Sequence, residues 1–254
     1  MQTSPSSPPK PVSEVVRPEI TRLPDLPIWR RVFRRIVIWV LRLIVRLCVR
    51  CSISGRENIP SQGAALLVSN HLGDADMVVG LAFAPKPVEF ISKAEMHDFP
   101  VIGKLMDAYG VIWVHRGQPD RRALRAALQG LSQGRMVTIA PEGRESLSGA
   151  LEEGTRGAAY LALKAGVPVI PVTVTGTENR RVYGSLKRFR RPEITLTVGQ
   201  PFRLDPASDQ KQAVQQGTLK IMNTLAEQLP EDYRGYYRSA ENLDNYAGIV
   251  EADG

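Results

Sequence analysis

The 254-residue sequence is short of several things, and each shortage removes a class of function. It has two cysteines, Cys48 and Cys51, and three histidines, His71, His97 and His115. Ligands so few, at spacings that match no zinc pattern, argue against a metal site and a disulfide framework and for a reducing compartment. There is no Gly-rich phosphate loop, no GxGxxG fingerprint and no GxSxG elbow, which argues against nucleotide-binding folds and the α/β-hydrolases. The first residues, "MQTSPSSPPKPVSEVVRPEITRLPDLP", lack the apolar core of a secretory signal. Rich in Pro and Ser, residues 1–27 read as a disordered or loosely attached arm. Long apolar runs are missing from the next stretch as well. Its longest, Ile36 to Leu41, falls far short of the roughly 20 residues that cross a bilayer.

Acidic residues are absent from that stretch, residues 28–51, "IWRRVFRRIVIWVLRLIVRLCVRC", which carries seven arginines. The net charge of the chain is +7, so the remainder is formally neutral and does not present a nucleic-acid-binding face. Wound as a helix, Arg31, Arg35, Arg42, Arg46 and Arg50 fall in one sector of about 100°. Val32, Phe33, Ile36, Trp39, Val40, Leu43, Ile44 and Leu47 fill the opposite side. A helix with a wide apolar face and a guanidinium stripe lies in a membrane interface, so residues 28–51 are expected to bind an anionic membrane surface. The alternative is a helix packed on its own domain with its basic face in water.

From Ser52 onward, short β-branched runs alternate with helical patterns. Strands are expected at 63–70, 88–92, 110–114, 135–143, 167–176 and 193–199, and helices at 76–84, 120–131, 155–166 and 208–228. The basic stretch 180–193 reads as a loop. The fold class is α/β: one domain, residues 52–229, with a mixed sheet flanked by helices, then a tail at 230–254.

The sparse histidines draw attention to "SNHLGDADMVVG", residues 69–80. His71 follows an expected strand and Asp76 opens an expected helix, and reactive groups in open α/β sheets sit at such carboxyl ends. A turn there folds Asp76 onto His71, fixes the tautomer and leaves the other ring nitrogen as a base. Asp74 is a competing partner. No Ser or Cys stands in a nucleophile context, so the base would act on a substrate hydroxyl. The plainer alternative is that His71 ends a strand and Asp76 caps a helix.

Three further stretches follow in order: "GVIWVHRG" with Arg116 after a strand, "APEGRES" with Glu142, Gly143 and Arg144 after another, and "VPVIPV" after a helix. With Asn70-His71-x-x-x-x-Asp76, this series resembles the glycerolipid acyltransferase superfamily, 1-acylglycerol-3-phosphate acyltransferases above all. The resemblance implies that His71 is the general base, Asp76 orients it, and the acceptor hydroxyl attacks an acyl thioester directly, without an acyl-enzyme. It implies that Arg116 grips the acceptor phosphate and that Asn70, Glu142 and Gly143 line the same pocket, with "VPVIPV" beside the acyl or acceptor groove. The expected product is phosphatidic acid, from a lysophospholipid acceptor and acyl-CoA or acyl carrier protein as co-substrate, with no cofactor or metal. Other lipid hydroxyl acceptors are the alternative, then a thioesterase-like hydrolase or a membrane scaffold. The expected location is the cytoplasmic face of the cell membrane. Two departures stand out. The family's E-G-T-R loop reads Glu142-Gly143-Arg144-Glu145 here, which leaves the phosphate-binding arginine to Arg144 or to Arg156. Gly73 replaces a common serine, which suggests altered acceptor contacts.

Overall fold

Leu66 and Val68 face one way and Ala65 and Leu67 the other, and all four are buried. A strand buried on both faces has to lie inside a sheet covered on both sides. The structure, a computed structural model, describes residues 12–14, 16–117 and 120–238. In chain order the elements are α1 (Ile28–Cys48), β1 (Arg50–Ser54), β2 (Ala65–Ser69), α2 (Ala75–Phe83), β3 (Glu89–Lys93), α3 (Ile102–Tyr109) and β4 (Ile112–Val114). They continue with α4 (Arg121–Ser132), β5 (Met136–Ile139), α5 (Gly157–Ala165), β6 (Val169–Thr175), α6 (Asn179–Leu186), β7 (Glu193–Val198) and α7 (Gln210–Gln228).

The seven strands form one sheet in the order β1-β7-β6-β2-β5-β3-β4. Every neighbouring pair is parallel except β6 and β7, which makes the sheet mixed, as expected. One core layer joins α1, α2 and α3 to the sheet through residues such as Ile38, Val79, Met106 and Leu67. The other joins α4, α5 and α7 through Ala127, Leu161, Met222 and Leu66. Local chemistry sets the helix ends. Asp120 caps α4 by accepting from the backbone of Arg122 and Ala123, and Gly166, at φ 61°, closes α5 in the left-handed conformation.

Several expectations need correction. The described part of the amino-terminal segment, expected to be loose, is docked on the domain. Arg17 donates its backbone N–H to His115, Ser13 pairs with the backbone of Arg116, and Thr21 is buried. The helix of 28–51 stops at Cys48; Arg50 and Cys51 open β1, so Arg50 leaves the basic stripe. Burial pushes the Cys51 thiol up to about 11, which leaves it un-ionised. The helix packs on its own domain, as the alternative reading has it, and keeps an apolar strip exposed. Phe33, Val37, Ile38, Leu41 and Val45 pack on the domain, whereas Trp29, Val32, Ile36, Trp39, Leu43 and Leu47 are exposed. No helix among the described residues is long and apolar enough to cross a membrane. The stretch read as a loop contains α6, and α3 had no counterpart in the sequence reading. Of the expected tail, residues 230–238 are folded onto the domain: Tyr237 is buried and its hydroxyl accepts from Gly154 N–H. The rest of the tail, like residues 1–11, lies outside the described residues.

Candidate active site

β2 delivers the chain to the carboxyl edge of the sheet, and Asn70 fixes the direction in which it leaves. Its amide donates to Val174 O and accepts from Val174 N, both at 2.8 Å, in β6. Asn70 is 2% exposed and both ends of its amide are engaged by β6, so its side chain ties two strands together where a pocket-lining residue was expected. His71 comes next. Its Nδ1 lies 2.8 Å from Asp76 Oδ2, and the same oxygen accepts from Leu72 N at 2.7 Å and Gly73 N at 3.1 Å. The two amides hold the carboxylate in place for the imidazole. Because an ionised carboxylate only accepts, the ring proton sits on Nδ1 and Nε2 carries the free lone pair. No described residue hydrogen-bonds that nitrogen, and the side chain is 28% exposed.

The peptide of His71 is held as firmly as its ring. Glu142 accepts from His71 N at 3.0 Å and from Glu152 N at 2.7 Å, and His71 O accepts from Ser146 N at 2.7 Å. Burial pushes the Glu142 carboxyl up to about 7. Glu142, fully buried, therefore braces the loop that carries His71 from behind. Gly143, at φ 75°, makes the turn after β5 that a side chain would strain. Gly73 has a packing reason as well. A Cβ there would lie 2.5 Å from Thr177 O, so close backbone approach accounts for the glycine at this position.

Burial works against a charged His71, but the hydrogen bond and charge of Asp76, with the charge of Glu145, outweigh it and raise its pKa above 6.5. Asp74, the competing partner, is engaged elsewhere: its carboxylate accepts from Tyr183 OH at 2.9 Å. Arg116 is brought to the site. It is half-buried at the end of β4, and its charge acts on His71, Glu95 and Glu145. Arg144 is not. It is 3% exposed and donates to Glu152 at 2.5 Å, which removes it as a phosphate ligand. Arg156 is exposed at the start of α5, beside Thr155, which bonds Pro141 O; no described contact joins it to His71. Of the "VPVIPV" run, Val169 to Val172 are buried in β6 and belong to the core, and Val167 and Pro168 are half-buried just before the strand.

One charged residue, Lys93, had no place in the sequence reading, and Glu145 stood there only as a departure from the family's loop. Lys93 ends β3, in register with Val114 of β4, and its charge reaches Glu95 and Glu145. Glu145 accepts from Asn179 Nδ2 at 2.9 Å. The signal for Lys93 was its place at a strand's carboxyl end, the criterion that found Arg116. A cavity of about 650 Å³ is lined by Trp29, Arg30, His97, Phe99, Pro100 and their neighbours and includes none of these residues.

An oriented imidazole with one open nitrogen, within reach of the Arg116 charge and without a nucleophilic side chain bonded to it, is equipped to take a proton from an incoming hydroxyl. A family model described as Acyltransferase matches residues 50–175. The chain is 32% identical over 155 residues to the chloroplastic 1-acyl-sn-glycerol-3-phosphate acyltransferase LPAT1 of Arabidopsis thaliana, covering 60% of this chain and 43% of that one. It is 30% identical over 207 residues to the lyso-ornithine lipid O-acyltransferase of Pseudomonas aeruginosa, covering 74% and 78%. The crystal structure of the 1-acyl-sn-glycerophosphate acyltransferase PlsC from Thermotoga maritima superposes with a TM-score of 0.58 at 23% identity, over 80% of this chain and 84% of that one, and shares the fold. The chain spans about half the length of the plant and algal relatives it matches. Its ordered motifs, the matched family model and the Pseudomonas relative aligned along most of both chains place it in one group: the chain belongs to the glycerolipid acyltransferase superfamily.

Proposed function

We propose that the chain transfers an acyl group from a thioester to the free hydroxyl of a membrane lysolipid, with His71 as general base. One observation carries this reading: Nδ1 of His71 is held by Asp76 at 2.8 Å while Nε2 is open. Nε2 takes the hydroxyl proton as the oxygen attacks the thioester carbonyl. The C–S bond then breaks, and the leaving thiolate takes the proton back from the imidazolium. The ester forms without an acyl-enzyme. The donor is acyl-CoA or acyl carrier protein, and no cofactor enters. The exposed apolar face of α1, edged by Arg31, Arg35 and Arg46, holds the enzyme in the headgroup plane at the cytoplasmic face of the cell membrane, where the acceptor resides.

The leading acceptor is 1-acylglycerol-3-phosphate, giving phosphatidic acid. Arg116 and Lys93 offer cations for its phosphate, and most of the curated relatives are named for that acceptor. A second reading is an amino-acid lipid such as the acceptor in the name of the Pseudomonas relative. The engagement of Arg144 with Glu152 favours it, because the loop then supplies no cation to a phosphate.

The test is the purified protein on liposomes with an acyl thioester and a panel of lysolipids, following product lipid and free thiol together. His71→Ala should lower transfer by at least about 100-fold with vesicle binding intact, as expected for loss of a general base. Transfer near the original rate would remove His71 from the chemistry. Thiol release without acceptor would indicate hydrolysis instead.

A further inference from the structure

The charges around His71 are sorted by the topology. His71 follows β2, and β5, β3 and β4 lie to one side of that strand while β6 lies to the other. The cations, Lys93 and Arg116, come from the ends of β3 and β4. The carboxylates are tied to α6, which follows β6. Asn179 donates through Nδ2 to Glu145 and accepts through Oδ1 from Asp74 N at 3.0 Å, and Tyr183 donates to Asp74 at 2.9 Å. One oxygen of each carboxylate has no hydrogen-bond partner among the described residues. Glu145 is half-buried and lies within electrostatic reach of His71, Asp76 and Asp74, whereas Asp74 is exposed.

A phosphate monoester meets only half of this arrangement. Its dianion is attracted by Arg116 and Lys93 but repelled by half-buried Glu145, where screening by water is weaker, and to a lesser degree by exposed Asp74. At the position of Glu145 the family's loop carries arginine, so the sign of the charge is reversed where the chain departs from the pattern. We propose that the acceptor is a zwitterionic lysolipid: its anionic group lies toward Arg116 and Lys93, its ammonium group toward Glu145 and Asp74, and its hydroxyl at Nε2 of His71. Glu145 is then the residue that determines specificity. This rests on the reading of His71 as a base toward a lysolipid hydroxyl, sets aside 1-acylglycerol-3-phosphate, the acceptor that most relatives' names favour, and names the headgroup class instead. The ammonium can be paired with a carboxylate, as in an amino-acid headgroup, or with a phosphodiester, as in an ethanolamine headgroup.

The experiment measures kcat/KM on mixed vesicles for three acceptors, namely 1-acylglycerol-3-phosphate, 1-acylglycerophosphoethanolamine and a hydroxyacyl amino-acid lipid. Wild type should favour one of the two zwitterions over the phosphate monoester by at least tenfold, and which of them wins identifies the anionic partner. Glu145→Gln keeps an oxygen for Asn179 but removes the charge, and should cut that ratio about tenfold. Glu145→Arg should invert it, and Asp74→Asn should move it in the same direction as Glu145→Gln. A purely structural role would lower turnover of every acceptor alike and leave the ratio within twofold, which would overturn the proposal. So would a wild-type preference for the phosphate monoester, although the lysolipid reading would survive that result. Absence of transfer to every acceptor would instead sink that reading, and this inference with it.

Discussion

Two His-x-x-x-x-Asp pairs occur in this chain, and only one leaves a ring nitrogen open. His115 and Asp120 repeat the spacing of His71 and Asp76, with Nδ1 3.0 Å from the carboxylate and the same oxygen accepting from the backbone N–H of the histidine. The difference lies in the second nitrogen. Nε2 of His115 accepts from Arg17 N at 2.8 Å, and Asp120 is also the cap of α4, so this pair fastens the amino-terminal segment and starts a helix. Spacing alone does not separate the two, because the residue that occupies Nε2 is 98 positions away in sequence. The role of Asp76 was legible because a five-residue turn is local. The fates of Asn70 and Arg144 were not, because their partners are a backbone unit of β6 and a buried glutamate. The open nitrogen of His71 carries a pH prediction. The base has to be neutral, and Asp76 and Glu145 favour the imidazolium over the opposing effect of burial. The rate should therefore rise with pH along a limb centred above the ordinary imidazole value of about 6.5. Glu145→Gln removes one of the raising charges and should shift that limb toward lower pH, measured as kcat/KM against pH with a saturating donor. An unmoved limb would mean that the carboxylate does not reach the ring.

At the scale of elements, α1 shows how one run of arginines divides into different functions. Arg34 is 2% exposed, donates to Glu89 at 2.9 Å and to Val88 O at 2.7 Å, and lies 4.5 Å over the Tyr109 ring. Arg42 donates to Ala82 O and Ala84 O at the end of α2, while Arg35 and Arg46 are exposed. Helical periodicity located the apolar face, but it could not identify the arginine that enters the core, because Glu89 sits 55 residues away at the start of β3. The same limit hid α3 and α6, short helices stabilised by tertiary packing more than by their own sequence. Removing one member of a buried ion pair typically costs about 3–5 kcal/mol, whereas replacing both with apolar groups is often neutral. Arg34→Met should therefore destabilise the fold by about 3 kcal/mol in denaturant titration, with Arg135, 3.6 Å from Glu89, holding the loss toward the lower end of that range. Arg34→Met combined with Glu89→Met should recover most of it. A loss below about 0.5 kcal/mol in the single variant would show that the pair does not hold α1 to the sheet.

For the molecule as a whole, the largest departure from a water-soluble surface lies on one side. Trp39 and Leu47 of α1 are 65% and 64% exposed, with Ile36 and Leu43 beside them on the same face. A second set, Phe99, Val101, Ile102 and Leu105, opens α3, and Trp29 and Phe99 line one cavity, so the two apolar surfaces adjoin. Apolar patches of this kind, rimmed by arginines, mark a membrane or protein contact. Because these side chains are exposed, they contribute little to folding, and replacing them separates membrane binding from stability. A variant with Ile36, Trp39 and Leu43 changed to Gln should keep its denaturation midpoint within about 0.5 kcal/mol, the usual range for surface substitutions, while it fails to float with anionic vesicles. Arg35→Glu with Arg46→Glu should weaken binding to anionic vesicles in particular, at about 1 kcal/mol per cation removed, and added salt should narrow the difference from wild type. Arg42 is left unchanged because its hydrogen bonds to α2 would confuse lost binding with lost packing. If the apolar variant still floated as wild type does, α1 would not be the anchor; release of the variant without loss of stability would make this face the plane that sets the depth at which His71 meets its substrate.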